Sequence, residues 1–288
     1  MASNRCKEIA IIGADSTHVS AFTRLINKEK INSDYRVKTV YVDRRSDLPM
    51  SVNRIETILN VLNTLDVNIV EGIEDIEDHD AFMILGVDAN YHLDSLEAIK
   101  HFNKPIFVDK PLVYQLDELA QIEKYVTEKG LKIFSASALR FTPFIQRLKA
   151  EISDKTNLIQ IKAPFYLEDD IPAFHWYGIH ALSMLQGLSD QKIDIISLNL
   201  QGDIYILKGT VDHIPFEIEL FTKNMHEFSA IIKNEDRAIE DALINDPNPL
   251  YSYLLKEVLV FFETNTAPIT FTETKALLVL CDQLNHML

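Results

Sequence analysis

The sequence of 288 residues predicts an α/β fold in which a doubly wound parallel sheet is followed by a smaller α+β domain. Two observations predict it. Up to about residue 135, short apolar runs alternate with stretches of helical periodicity, which is typical of βαβ units. After about residue 150, runs of strand character follow one another with few helices between them, which indicates a mostly antiparallel sheet. We therefore expect two domains, over residues 1–140 and 141–288.

Six apolar runs mark the strands of the first domain. The first, IAIIG, is apolar throughout and ends at Gly13, which is typical of a strand buried on both faces. The predicted strands cover residues 9–13, 37–43, 68–70, 81–86, 105–108 and 132–135. Apolar side chains at helical spacing predict intervening helices over residues 17–28, 55–62, 90–102 and 116–128.

The second domain has a different pattern of predicted strands and helices. Strand character covers residues 158–163, 193–201, 203–209, 215–221 and 225–232, and helical periodicity covers residues 176–186, 250–264 and 273–288. Turn-like pairs at Gly202-Asp203 and Asp212-His213 separate successive strands. These turns predict antiparallel pairing between neighbouring strands.

Four residues mark the ends of strands in the first domain: Gly13, Asp43, Gly86 and Asp109. In doubly wound sheets, ligands bind beyond the carboxyl ends of the strands. We therefore expect these four residues to rim one crevice of a Rossmann-type, nucleotide-binding domain.

Charge and composition exclude several classes of protein. Lys and Arg number 28 against 43 Asp and Glu, a formal charge of −15, which disfavours nucleic acid and anionic membranes as partners. Cys6 and Cys281 are the two cysteines, too few for a disulfide framework. No apolar run approaches the ~20 residues that span a bilayer. We expect a cytoplasmic protein that acts on a small molecule.

The turn after the first strand departs from the dinucleotide fingerprint G-x-G-x-x-G. Gly13 supplies the first glycine, but Asp15 and His18 replace the second and third. A carboxylate facing pyrophosphate is repulsive unless Asp15 turns away to cap the helix. The Ser16 and Thr17 hydroxyls and the free N–H groups of the helix could still bind a phosphate. A simple helix cap is the alternative interpretation.

Asp43 ends the second strand, where a carboxylate can accept hydrogen bonds from the adenosine ribose hydroxyls. Arg44 and Arg45 follow and could instead bind a 2′-phosphate. A turn-forming acid without a ligand is the alternative here. The choice between NAD and NADP therefore stays open.

The fifth strand ends in Asp109-Lys110-Pro111. Proline keeps the preceding lysine out of helical geometry, so Lys110 is expected to project from the strand end. Asp109 can orient it or balance its charge, and partial burial can lower the pKa of Lys110 enough for proton transfer.

Together these motifs resemble the glucose–fructose oxidoreductase/inositol dehydrogenase family of NAD(P)-dependent oxidoreductases. Asp109-Lys110-Pro111 is similar to the family's E-K-P, and residues 86–92 (GVDANYH) resemble its T-P-N-x-x-H. Residues 138–143 (ALRFTP) resemble N-x-R-[FY]-x-P, and Gly178-Ile179-His180 resembles D-x-G-x-H. The last 25 residues resemble the family's closing helix, so that the similarity spans nearly the whole chain.

The resemblance implies an oxidoreductase that moves hydride between a nicotinamide cofactor and a small sugar-like or polyol-like substrate. It implies that Lys110 and His180 handle the substrate proton, because histidine titrates near working pH. The implied cofactor-binding residues are Gly13, Asp15, Ser16, Thr17, Asp43, Arg44, Gly86 and Asp109. The implied substrate-binding residues are His92, Arg140, Trp176 and Tyr177. A homodimer or higher homo-oligomer is also implied.

Some residues depart from the family pattern. Trp176 stands where an aspartate precedes G-x-H, and Ser183 replaces a frequent acid one turn later. With the altered glycine turn, these changes favour an alternative: a non-catalytic member that binds a metabolite or protein in the same crevice, with weak or no dinucleotide binding. Asp15, His18, His92 and His180 match no compact metal-ligand spacing, so no metal is expected.

Overall fold

The computed structural model describes residues 5–189, 192–243 and 247–288. The chain divides into two compact units. The first comprises the chain up to Ala136 and also residues Tyr251–Lys275, and the second comprises Ser137–Leu250 and Ala276–Leu288. The first division point lies near the predicted boundary at residue 140. The return of residues 251–275 to the first unit was not predicted from the sequence.

The first unit is built on a six-stranded parallel sheet. Its strands are β1 (Lys7–Ile12), β2 (Tyr35–Tyr41), β3 (Asn68–Val70), β4 (Ala81–Ile84), β5 (Ile106–Val108) and β6 (Ile133–Phe134). They lie in the order β3-β2-β1-β4-β5-β6, and every pairing is parallel. This is the strand order of dinucleotide-binding doubly wound sheets. The prediction of the fold class is confirmed for this unit.

Helices connect these strands. They are α1 (Thr17–Thr23), α2 (Pro49–Leu62), α3 (His92–Ile99) and α4 (Leu116–Lys129). The predicted helix over residues 17–28 is α1 followed by a π-helical turn, Arg24–Lys28. The apolar stripe of that helix is buried, as Val19, Phe22 and Ile26 are 0% exposed. Periodicity therefore found the helix, but it cannot distinguish an α-helical from a π-helical hydrogen-bond pattern.

The second unit contains a six-stranded, mostly antiparallel sheet. Its strands are β7 (Thr156–Pro164), β8 (Ile193–Gln201), β9 (Ile204–Val211), β10 (Ile214–Phe221), β11 (Phe228–Asn234) and β12 (Ala238–Leu243), in the order β12-β11-β7-β10-β9-β8. Only the central β7–β10 pair is parallel. Ile159, Ile161 and Ile218 are buried on one face, whereas Lys208 and Glu217 pair on the other. This alternation is typical of an antiparallel sheet with one solvated face.

The remaining helices are α5 (Pro143–Lys149), α6 (Ile179–Leu188), α7 (Pro247–Thr264) and α8 (Phe271–Asn285). A π-helical turn, Phe174–Gly178, leads into α6. The sequence pattern predicts α6, α7 and α8 but not α5 or β12. Among the described residues, the structure has no helix that is both long and apolar enough to cross a bilayer.

Gly13 brings the turn after β1 against the loop after β4. Its φ is +101°, and a Cβ atom added there would lie 2.6 Å from the Gly86 backbone nitrogen. No L side chain fits this position without moving the backbone. The first glycine of the fingerprint is therefore required by the fold itself.

Candidate functional site

The four predicted strand-end residues lie at the carboxyl edge of the parallel sheet. The structure brings Gly13, Asp43 and Gly86 together with Asp15 and His92 around one small cavity of about 10 Å³. That volume is close to the space of a single water. Asp109 lies further along the same edge, directly after β5.

Asp15 turns inward rather than toward solvent. Its carboxylate accepts hydrogen bonds from the Val87 backbone N–H (3.0 Å) and from the Ser51 hydroxyl (2.6 Å). Only 3% of the residue is exposed, and this burial raises the pKa of Asp15 despite both hydrogen bonds. It does not cap its own helix, since Ser16 occupies the N-cap position of α1. The Asp15 carboxylate is therefore buried against Val87 and Ser51 and does not face solvent.

The two hydroxyls of the turn have different surroundings. Ser16 Oγ is buried and has no hydrogen-bond partner among the described residues. Thr17 Oγ1 lies 3.1 Å from the phenol oxygen of Tyr251 on α7. A buried hydroxyl without a partner is costly, so Ser16 Oγ is the polar atom of this turn that most needs a ligand or water.

Asp43 is already paired within the chain. Its carboxylate accepts from Arg45 Nε (2.9 Å) and Nη2 (2.6 Å) and from the Arg45 backbone N–H (3.1 Å). The guanidinium also lies 4.9 Å from the Tyr91 ring centroid. The Arg44 guanidinium forms salt bridges with Glu56 and Glu71 instead. A ribose at Asp43 therefore has to compete with, or bind beside, Arg45.

At the end of β5, Asp109 links a histidine to the lysine loop. His18 Nδ1 donates to Asp109 Oδ2 at 2.6 Å, and the Lys110 backbone N–H donates to Asp109 Oδ1 at 2.8 Å. Burial favours the neutral form of Asp109, but His18 and Lys110 outweigh it and the pKa of Asp109 is lowered. The Lys110–Pro111 peptide is cis.

Lys110 is half-buried at this strand end. Burial lowers the pKa of its amine, and the negative charge of Asp109 opposes that shift only in part. An amine with a lowered pKa can be neutral at physiological pH and accept a proton. The direction agrees with what the sequence predicts for this lysine.

His92 joins two loops of the site. Its Nε2 lies 2.8 Å from the Gly86 carbonyl, and its Nδ1 lies 3.0 Å from the Pro111 carbonyl and 3.1 Å from the Leu112 carbonyl. It is only 2% exposed. The His92 ring lies between the loop after β4 and the loop after β5, and because all three oxygens are acceptors, a neutral ring donates to only one of these loops, through the nitrogen that carries the proton. This arrangement shapes the site and leaves the ring nitrogens engaged with backbone.

The other predicted site residues belong to the second unit. His180 Nδ1 is hydrogen-bonded to Ser137 Oγ (2.8 Å), and its ring centroid lies 5.3 Å from that of Tyr177. Trp176 makes an edge contact with the same Tyr177 ring at 5.7 Å. Arg140 is buried, and its Nη1 donates to Gln186 Oε1 (3.3 Å). His180, Tyr177 and Trp176 are thus one aromatic group, while Arg140 contacts α6.

The sequence analysis missed several partners in these arrangements. Ser51, Tyr251 and Ser137 carry no motif, and each meets its partner through a contact distant in sequence. His18 was considered as a substitution for the third glycine and as a metal ligand, but not as a partner of Asp109. Its position in the fingerprint was a usable signal, because that position faces the carboxyl ends of neighbouring strands.

Comparison with known proteins supports the fold prediction. No family model matches the chain, and no curated protein matches it. Among solved structures, scyllo-inositol dehydrogenase from Lactobacillus casei, determined with bound NAD(H) and scyllo-inositol, is similar over 98% of this chain and 97% of its own, with 12% identity and a TM-score of 0.76.

Two further solved structures are similar to this chain to the same degree. Myo-inositol dehydrogenase from Corynebacterium glutamicum is 14% identical, with a TM-score of 0.76, over 96% of this chain and 94% of its own. UDP-N-acetylglucosamine 3-dehydrogenase from Acidithiobacillus ferrooxidans is 12% identical, with a TM-score of 0.76, over 98% of this chain and 97% of its own. The chain therefore has the fold of these dehydrogenases, and the predicted resemblance is confirmed at the level of the fold.

Proposed function

We propose that the protein is an NAD(P)-dependent oxidoreductase that interconverts a hydroxyl and a carbonyl on a small sugar-like or polyol-like substrate. The observation that carries the proposal is Lys110: a half-buried amine with a lowered pKa, beside Asp109, at the carboxyl end of β5 in a sheet with dinucleotide-binding strand order. A group with a perturbed pKa at such an edge is a candidate for proton transfer.

The residues at the edge fit a dinucleotide in three respects. Gly13 keeps the tight turn, Ser16 Oγ is a buried hydroxyl that lacks a partner among the described residues, and Asp43 lies just after the end of β2. Asp15 does not oppose this fit directly, because its carboxylate is turned to Val87 and Ser51. When bound, a nicotinamide dinucleotide supplies the two-electron acceptor or donor of the reaction.

The chain's own residues supply the proton chemistry and the binding groups. We assign Lys110 and His180 as proton-handling groups, with Lys110 accepting the proton of the substrate hydroxyl as a neutral amine and returning it as the ammonium in the reverse direction. His180 has its Nδ1 occupied by Ser137, so the proton is handled at Nε2. Arg140, Trp176 and Tyr177 remain assigned to the substrate. His92 lies between two loops instead of contacting substrate.

A calorimetric titration with NADH and with NADPH tests the proposal. Binding of either dinucleotide, followed by turnover with members of a polyol and sugar panel, supports it. Lys110→Ala and His180→Ala should each abolish turnover and leave dinucleotide affinity largely unchanged. A double variant that remains fully active contradicts the assignment of these two residues.

A second candidate is a non-catalytic protein that binds a metabolite or protein partner at the same strand edge. The cavity at this edge has a volume of only about 10 Å³. The Asp43 carboxylate and the Thr17 hydroxyl, which a dinucleotide would use, already contact Arg45 and Tyr251. These observations favour the second candidate. If neither NADH nor NADPH binds at millimolar concentration, this second candidate replaces the first.

The remaining expectations are part of the same proposal. We infer a cytoplasmic protein that acts on a small molecule and assembles as a homodimer or higher homo-oligomer. Sedimentation of the purified protein tests the assembly, and a monomer at all concentrations contradicts it.

A further inference from the structure

Ser137 is a buried serine at the start of the second unit, and its hydroxyl takes part in two hydrogen bonds. It is the N-cap of the 3₁₀ turn Ala138–Phe141, where its Oγ accepts from the Leu139 backbone N–H at 3.3 Å. The same Oγ lies 2.8 Å from Nδ1 of His180, which is on α6. Only 2% of Ser137 is exposed. The hydroxyl therefore has to satisfy its hydrogen bonds within the protein.

The direction of the hydrogen bond between Ser137 and His180 follows from the atoms that surround the hydroxyl. A serine hydroxyl has one O–H donor and two acceptor lone pairs, and the Leu139 N–H uses one lone pair. Among the residues that the structure describes, His180 Nδ1 is the only acceptor that is hydrogen-bonded to this hydroxyl. If Nδ1 carried the ring proton, the buried O–H would be left without an acceptor, which is costly. Donation from Oγ to an unprotonated Nδ1 satisfies both groups.

Ser46 has the same arrangement in the first unit. Its Oγ accepts from the Leu48 backbone N–H at 3.3 Å, two residues along the chain, and donates to Asp88 Oδ2 at 2.7 Å. An ionised carboxylate can only accept, so the direction of the second hydrogen bond is fixed there. Ser46 is therefore a matched control for Ser137, because both hydroxyls accept from a backbone N–H and contact one side chain.

We propose that Ser137 is a positioning residue that fixes the neutral His180 ring in the tautomer with its proton at Nε2. A neutral imidazole has one donor nitrogen and one acceptor nitrogen, so an acceptor at Nδ1 makes Nε2 the donor. The inference rests on the proposed function for the group that Nε2 meets, which is the oxygen of the substrate hydroxyl or carbonyl. There the neutral ring donates a hydrogen bond and stabilises the negative charge that develops on that oxygen. Acceptance of the substrate proton is then left to Lys110.

The test observes the two ring nitrogens of His180 directly. The chain has nine histidines, so protein labelled with ¹⁵N-histidine is compared with labelled His180→Gln to assign the His180 signals. Long-range ¹H–¹⁵N correlation spectra, recorded at a pH at which the ring is neutral, distinguish a protonated from an unprotonated nitrogen by chemical shift. In the wild-type protein, Nε2 should be the protonated nitrogen and Nδ1 the unprotonated one. A wild-type ring protonated at Nδ1 overturns the inference.

Two substitutions at Ser137 should move the ring proton. Ser137→Ala removes the donor to Nδ1, so the ratio of the Nε2–H form to the Nδ1–H form should fall by roughly tenfold, about the contribution of one hydrogen bond. Ser137→Asp keeps an N-cap for Leu139 but can only accept, so Nδ1 should then carry a proton. Ser46→Ala removes the equivalent cap from Leu48 and should leave the His180 spectrum unchanged. A His180 spectrum that is the same in wild type, Ser137→Ala and Ser137→Asp overturns the inference.

The spectra need no cofactor or substrate, so their outcome is separate from that of the proposed function. A protein that binds no dinucleotide can still show the Nε2–H tautomer, and an active dehydrogenase can show the other one. In an active enzyme, Ser137→Asp should lower kcat by ~10²–10³-fold and leave dinucleotide affinity unchanged, because the donor to the substrate oxygen is lost. A kcat equal to that of the wild type, in a variant whose tautomer is reversed, overturns the role assigned to Nε2.

Discussion

The two ends of the strand edge in the first unit differ in what their polar groups contact. At the nucleotide end, Asp15 and Asp43 are hydrogen-bonded to the chain itself, through Ser51 and Arg45. At the lysine end, Asp109 is hydrogen-bonded to His18, and burial lowers the pKa of the Lys110 amine. The polar groups of the nucleotide end have hydrogen-bond partners within the chain, whereas the lysine end has an amine with a lowered pKa, which suits proton transfer.

Along one sheet edge, the groups proposed to bind a dinucleotide are therefore separate from the group proposed to transfer a proton. A dinucleotide site tolerates changes in its turn as long as backbone N–H groups and a few acceptors remain. A proton-transfer site depends on the protonation state of one amine, which its neighbours control. We therefore expect substitutions at the lysine end to affect turnover and those at the nucleotide end to affect affinity.

The largest effect is expected from Lys110→Met, which removes the amine and keeps most of the apolar side chain. Turnover with the best substrate of a polyol and sugar panel should fall by ~10²–10⁴-fold, the usual contribution of a general acid or base. Calorimetry should give an unchanged affinity for NADH. The matched control is Lys132→Met, an exposed lysine whose loss should leave both quantities unchanged. Equal turnover in the two variants contradicts the contrast between the ends.

Next in size is Gly13→Ala at the nucleotide end. The new Cβ would lie 2.6 Å from the Gly86 nitrogen at a φ of +101°, so the free energy of unfolding should fall by ~2–4 kcal/mol. Urea denaturation measures it.

Gly130→Ala is the control for that variant. Gly130 also has a positive φ, +66°, but nothing lies within 4 Å of the added Cβ. The free energy of unfolding should fall by ~1–2 kcal/mol, which is the cost of the left-handed conformation alone. If the two variants lose equal stability, the close approach at Gly86 is not what constrains the turn.

A smaller effect is expected from Asp15→Asn, which can keep both hydrogen bonds while removing a buried charge. Because burial raises the pKa of Asp15, its contribution to stability is fully present below the ordinary carboxyl pKa and is lost as pH rises through the raised value. The variant should therefore gain stability over the wild type at pH 7 but not at pH 3, as measured by urea denaturation.

The same variant should bind NADH about tenfold more tightly, because one negative charge near the phosphate turn is gone. Asp47→Asn, at an exposed position, is the control and should change neither property. Weaker NADH binding by Asp15→Asn would mean that the carboxylate helps to form the site.

The smallest effect is expected from Arg45→Gln. Removing the guanidinium frees the Asp43 carboxylate for ribose hydroxyls, so NADH affinity should rise by a few-fold and NADPH affinity should not. Competition calorimetry compares the two dinucleotides. A fall in NADPH affinity alone would instead assign Arg45 to a 2′-phosphate.

The sequence was sufficient for the order of elements in the first unit and for the residues at its strand ends. Apolar runs ending at Gly13 and Gly86 identified buried strands, because parallel strands lack the alternation of surface strands. The two-part composition of the first unit was not predictable, since nothing in the apolar pattern of α7 indicates which unit it joins.

Side-chain partners at the site were less predictable than its position. The inward turn of Asp15 depends on Ser51, which lies on α2 and carries no motif. The pairing of Asp43 with Arg45 was not predicted: the sequence allowed a ribose acceptor or a turn-forming acid, and the three hydrogen bonds to Arg45 are seen only in the structure. Such contacts arise from packing between distant segments, which periodicity and spacing do not encode.

Hydrogen–deuterium exchange with and without NADH tests the central claim most directly, because it locates binding by segment. The account predicts protection by NADH in peptides that contain residues 13–18, 43–46 and 86–92, with Gly13→Ala reducing it. Exchange that is unchanged in all three segments at saturating dinucleotide, or protection confined to other parts of the chain, would contradict it.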